Sequence, residues 1–286
     1  MMQNGVSWQG LAPHPQCRSN KTNAAHHHAA AMRSIVSKKV LLVTGAASGM
    51  GRLSLERALA SGWKVCALDR QGLEPLPAHP DLLCIQADVC DAQAIEAAVD
   101  RTERELGPID RVSNAAAIMP LGLLLEQDRE LIKRIMDINY GGLVNLAAAT
   151  LPRMLARGRG QFLSFGSIAG HMPTIYMGAY NASKFAVVSY TEVLYHENRG
   201  RGVQFVLVCP PAVATPLLKQ ARDTVWPRML DQVPPLAPEK VLDRIERAFQ
   251  CEEFMVFPGP VTRFTYWLRR MAPNLIWKRV HQVEGR

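Results

Sequence analysis

Residues 38–51 read KKVLLVTGAASGMG, an apolar run that passes straight into a glycine-punctuated turn. The run has the aliphatic, β-branched content of a buried strand. RLSLERALASG, residues 52–62, has helical spacing and stops at a glycine. Strand, Gly-rich turn and helix in that order make an anion cradle. Glycine lets the backbone turn sharply and approach a ligand, and the first N–H groups of the helix meet it with the positive end of the helix dipole. Thr44, Gly45, Ser48, Gly49, Met50 and Gly51 are therefore the candidate phosphate-binding residues.

Outward from this turn the pattern repeats. WKVCALDR (63–70), LLCIQADV (82–89), IDRVSNAAA (109–117), GQFLSFGS (160–167) and VQFVLVCP (203–210) read as strands, and EFMVFPG (253–259) as a short last one. Helical patterns fill the gaps at 91–107, 180–198 and 238–250. A long helical stretch is expected from Leu124 to Arg157, with Gly141-Gly142 in its middle and Pro152 kinking it or opening its last segment. Continuous apolar strands separated by helices imply a parallel sheet covered on both faces. Right-handed crossovers then give a doubly wound α/β fold in a single domain, with ligands at the carboxyl ends of the strands.

Asp69 ends the second strand, eighteen residues after Gly51. An acid there accepts hydrogen bonds from ribose hydroxyls and repels a 2′-phosphate, which favours NAD. Arg70 beside it could pair a 2′-phosphate, so NADP is the alternative. Asp88-Val89, at the end of the third strand, would border the adenine.

Four signatures now resemble the short-chain dehydrogenase/reductase family in its shorter type: T-G-x-x-x-G-x-G at 44–51, Asn114-Ala115 after the fourth strand, Asn139 in the long helix, and Ser167 followed by Tyr180-x-x-x-Lys184. The likeness spans residues 38–260. It implies a Rossmann fold and an NAD(P)-dependent oxidoreductase that interconverts an alcohol and a ketone or aldehyde. It also implies that Ser167 holds the reacting oxygen, that Lys184 holds the nicotinamide ribose, and that Asn139 anchors a water leading from Lys184 to solvent. Asn114, Ala115, Pro210, Val213 and Thr215 would border the cofactor, and a homodimer or homotetramer is expected. Two positions depart from the pattern: the usual Asn-Ala-Gly is Asn114-Ala115-Ala116, and the usual Pro-Gly is Pro210-Pro211.

Spacing four puts Tyr180 and Lys184 on one helix face. A tyrosine of ordinary pKa about 10 needs about 4 kcal/mol to reach neutrality. One cation about 4 Å away, at an effective dielectric of about 20, supplies that much. Tyr180 is thus the expected general acid and base, with Lys184 and an oxidised nicotinamide as the cause. His171, in the loop after the fifth strand, reads as a surface residue. The loops 117–127, 168–179 and 210–230 are rich in Met, Leu, Ile and Trp and poor in charge, which points to an apolar alcohol or ketone. The competing class is a catalytically weak dinucleotide-binding sensor or membrane-peripheral scaffold.

The 286 residues carry a net charge of +8, held at the ends. Residues 1–39 have five Lys/Arg and no acid, and residues 261–286 have six against Glu284. The body is near neutral, so no nucleic-acid partner is expected. No run is long and apolar enough for a membrane span. Six cysteines without C-x-x-C indicate a reducing, cytoplasmic setting. His26 to His28 have no further ligands near them, so no metal is expected. Residues 1–37 read as a disordered extension. Residues 261–286 read as a basic amphipathic tail, divided by Pro273, that either docks on its own subunit or a neighbour or lies on an anionic membrane. Docking is the commoner case and the expected one.

Overall fold

The computed structural model describes residues 38–73, 76 and 78–286. The extension at 1–37 lies outside the described residues. Seven strands form one sheet: β1 (Val40–Thr44), β2 (Lys64–Asp69), β3 (Leu82–Gln86), β4 (Arg111–Asn114), β5 (Gly160–Phe165), β6 (Val203–Val208) and β7 (Met255–Val256). Their order is β3-β2-β1-β4-β5-β6-β7, and every pairing is parallel. The order reverses between β1 and β4, where Thr44 pairs with Asn114. This is the switch point at which such sheets open a ligand crevice. β1 is buried at all five positions, as the unbroken run VLLVT requires of a strand covered on both faces.

One face packs α2 (Ala92–Glu105) and α4 (Gly142–Arg157) around Phe162, Ile95, Leu146 and Met154. The other carries α1 (Gly49–Ala60) and α7 (Pro238–Gln250), with Ile245 and Phe249 against β5 and β6. α5 (Gly178–Glu197) carries Tyr180 and Lys184. After β6 come the short α6 (Pro216–Arg222) and a 3-10 turn at Arg228–Asp231. After β7 come α8 (Pro260–Met271) and α9 (Pro273–Glu284).

The expected helix from Leu124 to Arg157 is divided differently. α3 is Arg129–Met136, a π-turn covers Asp137–Gly141, and α4 runs through Pro152 without ending there. The break falls at Asn139, two tertiary contacts fixing it. The Asn139 side chain is tied to the loop after β4, and a Cβ on Gly142 would lie 2.6 Å from the side chain of Val89. Pro152 removes one helical hydrogen bond, and the buried neighbours Leu151 and Met154 hold that turn against the core.

Candidate active site

The turn after β1 keeps the shape its glycines allow. Gly45 and Gly49 have φ of +68° and +54°, a region most side chains avoid. A Cβ on Gly51 would lie 2.2 Å from the Gly45 carbonyl oxygen, so α1 can start this close to the turn only as glycine. Ser48 is the N-cap of α1 and makes no side-chain capping bond, whereas Asp91 caps α2 by accepting from Gln93 and Ala94. The first-turn N–H groups of α1 are thus left for a ligand. They face a cleft of about 460 Å³ that also receives Gly45, Ser48, Gly49, Met50, Asp69, Arg70, Asp88, Val89, Ala115 and Thr215.

Asp69 is held firmly there. Its Oδ2 accepts from the Ala47 N–H at 3.0 Å and its Oδ1 from the Gln71 N–H at 2.9 Å. Arg70 is exposed, and among the described residues it makes no ion pair. Asp88 is committed elsewhere. Burial disfavours its charge, but the Cys90 N–H and the Arg134 guanidinium, at 2.9 Å, outweigh this and hold its carboxyl below the usual range. These contacts hold its side chain in the wall of the cleft. Thr44, Gly51 and Asn114 also stand behind the surface. The Thr44 hydroxyl donates to Asn114 Oδ1 at 3.2 Å and accepts from the N–H groups of Ala115 and Ala116 at 3.1 and 3.2 Å. These residues lock the β1 and β4 turns together. A Cβ on Gly45 would lie 2.9 Å from the Ala116 backbone, so the two turns can approach this closely only with glycine at 45. Ala47, Ala87, Ile118, Ile138 and Gln220 line the cleft as well; the first four are small or apolar, and none belongs to a motif by which the sequence would reveal it. An uncapped helix start, a turn that excludes a Cβ at Gly45 and Gly51, and an anchored carboxylate together suit a dinucleotide.

A second cavity of about 160 Å³ adjoins the first and shares Met50, Ala115 and Thr215 with it. Ser167, Tyr180, Lys184, Pro210 and Val213 line it. Ser167 caps the short 3-10 turn Ile168–Gly170 through the Ala169 N–H at 3.1 Å. Tyr180 and Lys184 are both buried. Lys184 Nζ donates to the Phe165 carbonyl at 2.8 Å and lies 5.8 Å from the centre of the Tyr180 ring.

Burial pushes the Tyr180 hydroxyl up to about 12, and its hydrogen bond with Ser167 works in the opposite direction. Burial also brings Lys184 down to about 8, Cys209 acting against that. The ammonium is turned to the Phe165 carbonyl, and within the protein desolvation is the largest influence on both groups.

Asn139 is fully buried. Its Oδ1 accepts from the Ile118 N–H at 2.8 Å, and its Nδ2 donates to the Ile118 carbonyl at 3.0 Å and to the Ser183 hydroxyl at 2.9 Å. Ser183 in turn donates to the Tyr180 carbonyl at 2.8 Å. Asn139 therefore ties the loop after β4 to the helix turn that carries Tyr180. His171 is not a surface residue. Its Nε2 lies 3.5 Å from Cys209 Sγ, its ring meets Tyr266 edge-on at 4.9 Å, and burial together with Arg270 brings its pKa down to about 4. Nothing in the residues around His171 signals this, because Tyr266 comes from α8, far along the chain.

The remaining wall is assembled by side-chain clamps. Asn181 donates to the Ala169 carbonyl at 2.8 Å and accepts from the Thr174 N–H at 3.2 Å, which shapes the loop after β5. Gln220 accepts from the Met119 N–H at 2.6 Å and Thr224 from the Leu121 N–H at 3.0 Å, closing the α6 segment onto the loop after β4. Glu284 accepts from the N–H groups of Arg228 and Met229 at 3.2 and 2.9 Å, and Met229 and Leu230 line the cavity.

The short chain dehydrogenase family pattern matches residues 39–226. 2-(R)-hydroxypropyl-CoM dehydrogenase of Xanthobacter autotrophicus is 33% identical over 230 residues, covering 77% of this chain and 90% of that one. Glycine betaine reductase ATRR of Emericella nidulans is 33% identical over 196 residues, 66% of this chain but only 15% of that protein. Among solved structures, a short chain dehydrogenase/reductase from Burkholderia phymatum in complex with NAD superposes with a TM-score of 0.73 at 26% identity, covering 84% of this chain and 95% of that one.

Proposed function

The chain belongs to the short-chain dehydrogenase/reductase family, and from that premise we propose that it oxidises an apolar alcohol, or reduces the matching ketone or aldehyde, with NAD and with Tyr180 as the acid and base. As a member it is an oxidoreductase of CH–OH groups that uses NAD(P) and a small-molecule alcohol or carbonyl substrate. One observation carries the finer reading: the cavity beside the dinucleotide cleft is apolar except at its chemical end. Five methionines line it, and among the described residues Lys184 is the sole charged side chain in its lining. Methionine side chains adapt to irregular apolar shapes. A substrate with a fixed charge would leave that charge unpaired against them.

In the oxidative direction Ser167 holds the alcohol oxygen and Tyr180 takes its proton as the C–H electron pair leaves; reduction reverses both steps. The bound nicotinamide supplies the hydride acceptor and, when oxidised, a positive charge. The phenol needs such a charge, because burial alone keeps it protonated, its pKa pushed up to about 12. Lys184 holds the ribose. We assign Asn139 a positioning role, since its side chain is already committed to Ile118 and Ser183. Asp69 supports NAD: its carboxylate is fixed where a 2′-phosphate would meet it.

The test is a screen of medium-chain and cyclic secondary alcohols against polyols and hydroxy acids, with NAD and NADP separately. Turnover confined to the apolar set and to NAD supports the reading. Preference for hydroxy acids contradicts the substrate class, and tighter use of NADP contradicts the role given to Asp69.

A further inference from the structure

α8 and the start of α9 turn an apolar stripe away from the body. Val261, Phe264, Trp267, Met271 and Leu275 are all exposed, Phe264 by 65% and Met271 by 79%. Steps of three and four residues place Val261, Phe264, Trp267 and Met271 along one side of α8, and Leu275 follows in the first turn of α9. The opposite side of α8 is the one that docks. Thr262 is buried and donates to the Pro258 carbonyl at 2.9 Å, and Tyr266 packs on His171 and Phe257. α8 is thus apolar on both its inner and its outer side, and folding satisfies only the inner one.

The charge around the stripe has one sign. Arg263, Arg270, Lys278 and Arg279 are exposed on α8 and α9, Arg270 leaning on Tyr266 and Arg279 on Gln232. Glu284 is the only acid in residues 254–286, and it is buried with both oxygens taken by Arg228 and Met229. A two-fold contact with a second copy through this face would set these cations against each other. An anionic bilayer would pair Arg263 and Lys278 and take up the exposed aromatic and aliphatic side chains of α8. We propose that α8 and the first turns of α9 form a docking surface for anionic membranes. Phe264, Trp267 and Met271 enter the boundary between headgroups and acyl chains, and Arg263 and Lys278 pair with anionic headgroups. The docking face adjoins the substrate cavity through α9, which fixes the 228–231 turn.

The full chain is centrifuged with vesicles of phosphatidylcholine alone and of phosphatidylcholine with phosphatidylserine, with self-association followed by sedimentation velocity. Sedimentation with the anionic vesicles and not with the neutral ones is expected. F264S/M271S and R263Q/K278Q should each lower the partition by about tenfold or more. NADH affinity should be unchanged in both, which shows that they fold. Failure of the unaltered chain to sediment with anionic vesicles overturns the proposal, as does equal sedimentation with neutral ones. So does F264S/M271S dissociating an oligomer while keeping its vesicle partition, which would assign the face to a second copy.

Discussion

The dinucleotide half of the crevice and the substrate half are built from different materials. The first is backbone: one turn with two positive-φ glycines, an uncapped helix start and one carboxylate held by two N–H groups. The second is side chain. Its walls come from the loops after β4, β5 and β6, the start of α5 and the 228–231 turn, tied together by Asn181, Gln220, Thr224 and Glu284. Backbone-built sites tolerate little change and leave fixed marks in sequence. Side-chain-built sites can be remade from many residues, so substrates vary while the cofactor stays.

If that contrast is right, Gly51→Ala is the most damaging small change in the crevice. Its methyl would meet the Gly45 carbonyl at 2.2 Å, and we expect a loss of about 3 kcal/mol or more in thermal or urea unfolding, with cofactor binding abolished. Gly49→Ala has ordinary room beside Thr215 and carries only the positive-φ cost, about 1–2 kcal/mol.

Lys184 separates function from stability. Its pKa falls from the ordinary lysine value to about 8 on burial, so between about pH 8 and pH 10.5 the unfolded chain binds a proton that the native chain has released. Raising the pH through that window therefore stabilises the native state. The stability of the unaltered protein relative to Lys184→Met should rise by about 3 kcal/mol across it, measured by urea unfolding. Tyr180 and the buried cysteines push the other way at higher pH, and they are common to both proteins.

Asp69→Ala should narrow the preference for NADH over NADPH by about tenfold, or 1.4 kcal/mol, in paired fluorescence titrations. Glu284→Ala is the mildest change. It strips two N–H groups of their acceptor at the edge of the cavity, so we expect about 1 kcal/mol of lost stability and a raised KM with kcat unchanged.

The parts of the site that could be read in the sequence follow the same division. The turn at 44–51, Asp69 and the Tyr180–Lys184 spacing could be read because local geometry dictates them. Thr44, Gly51 and Asn114 were legible as a motif, but their place behind the wall was not, since that depends on β1 pairing with β4. The π-turn at Asn139 and the burial of His171 were illegible because partners far along the chain, Ile118 and Tyr266, impose them. The hold on the Lys184 ammonium was illegible for a related reason: spacing four fixes the helix face, but the Phe165 carbonyl that takes the ammonium comes from β5.

The central claim is that Tyr180 carries the proton in a site whose cofactor cradle is independent of it. Tyr180→Phe, assayed for NADH affinity and for single-turnover oxidation of an apolar alcohol, tests this directly. The account predicts an unchanged NADH affinity and a rate lower by about 10²–10⁴. Turnover that survives the substitution, or NADH binding lost along with it, would contradict the account.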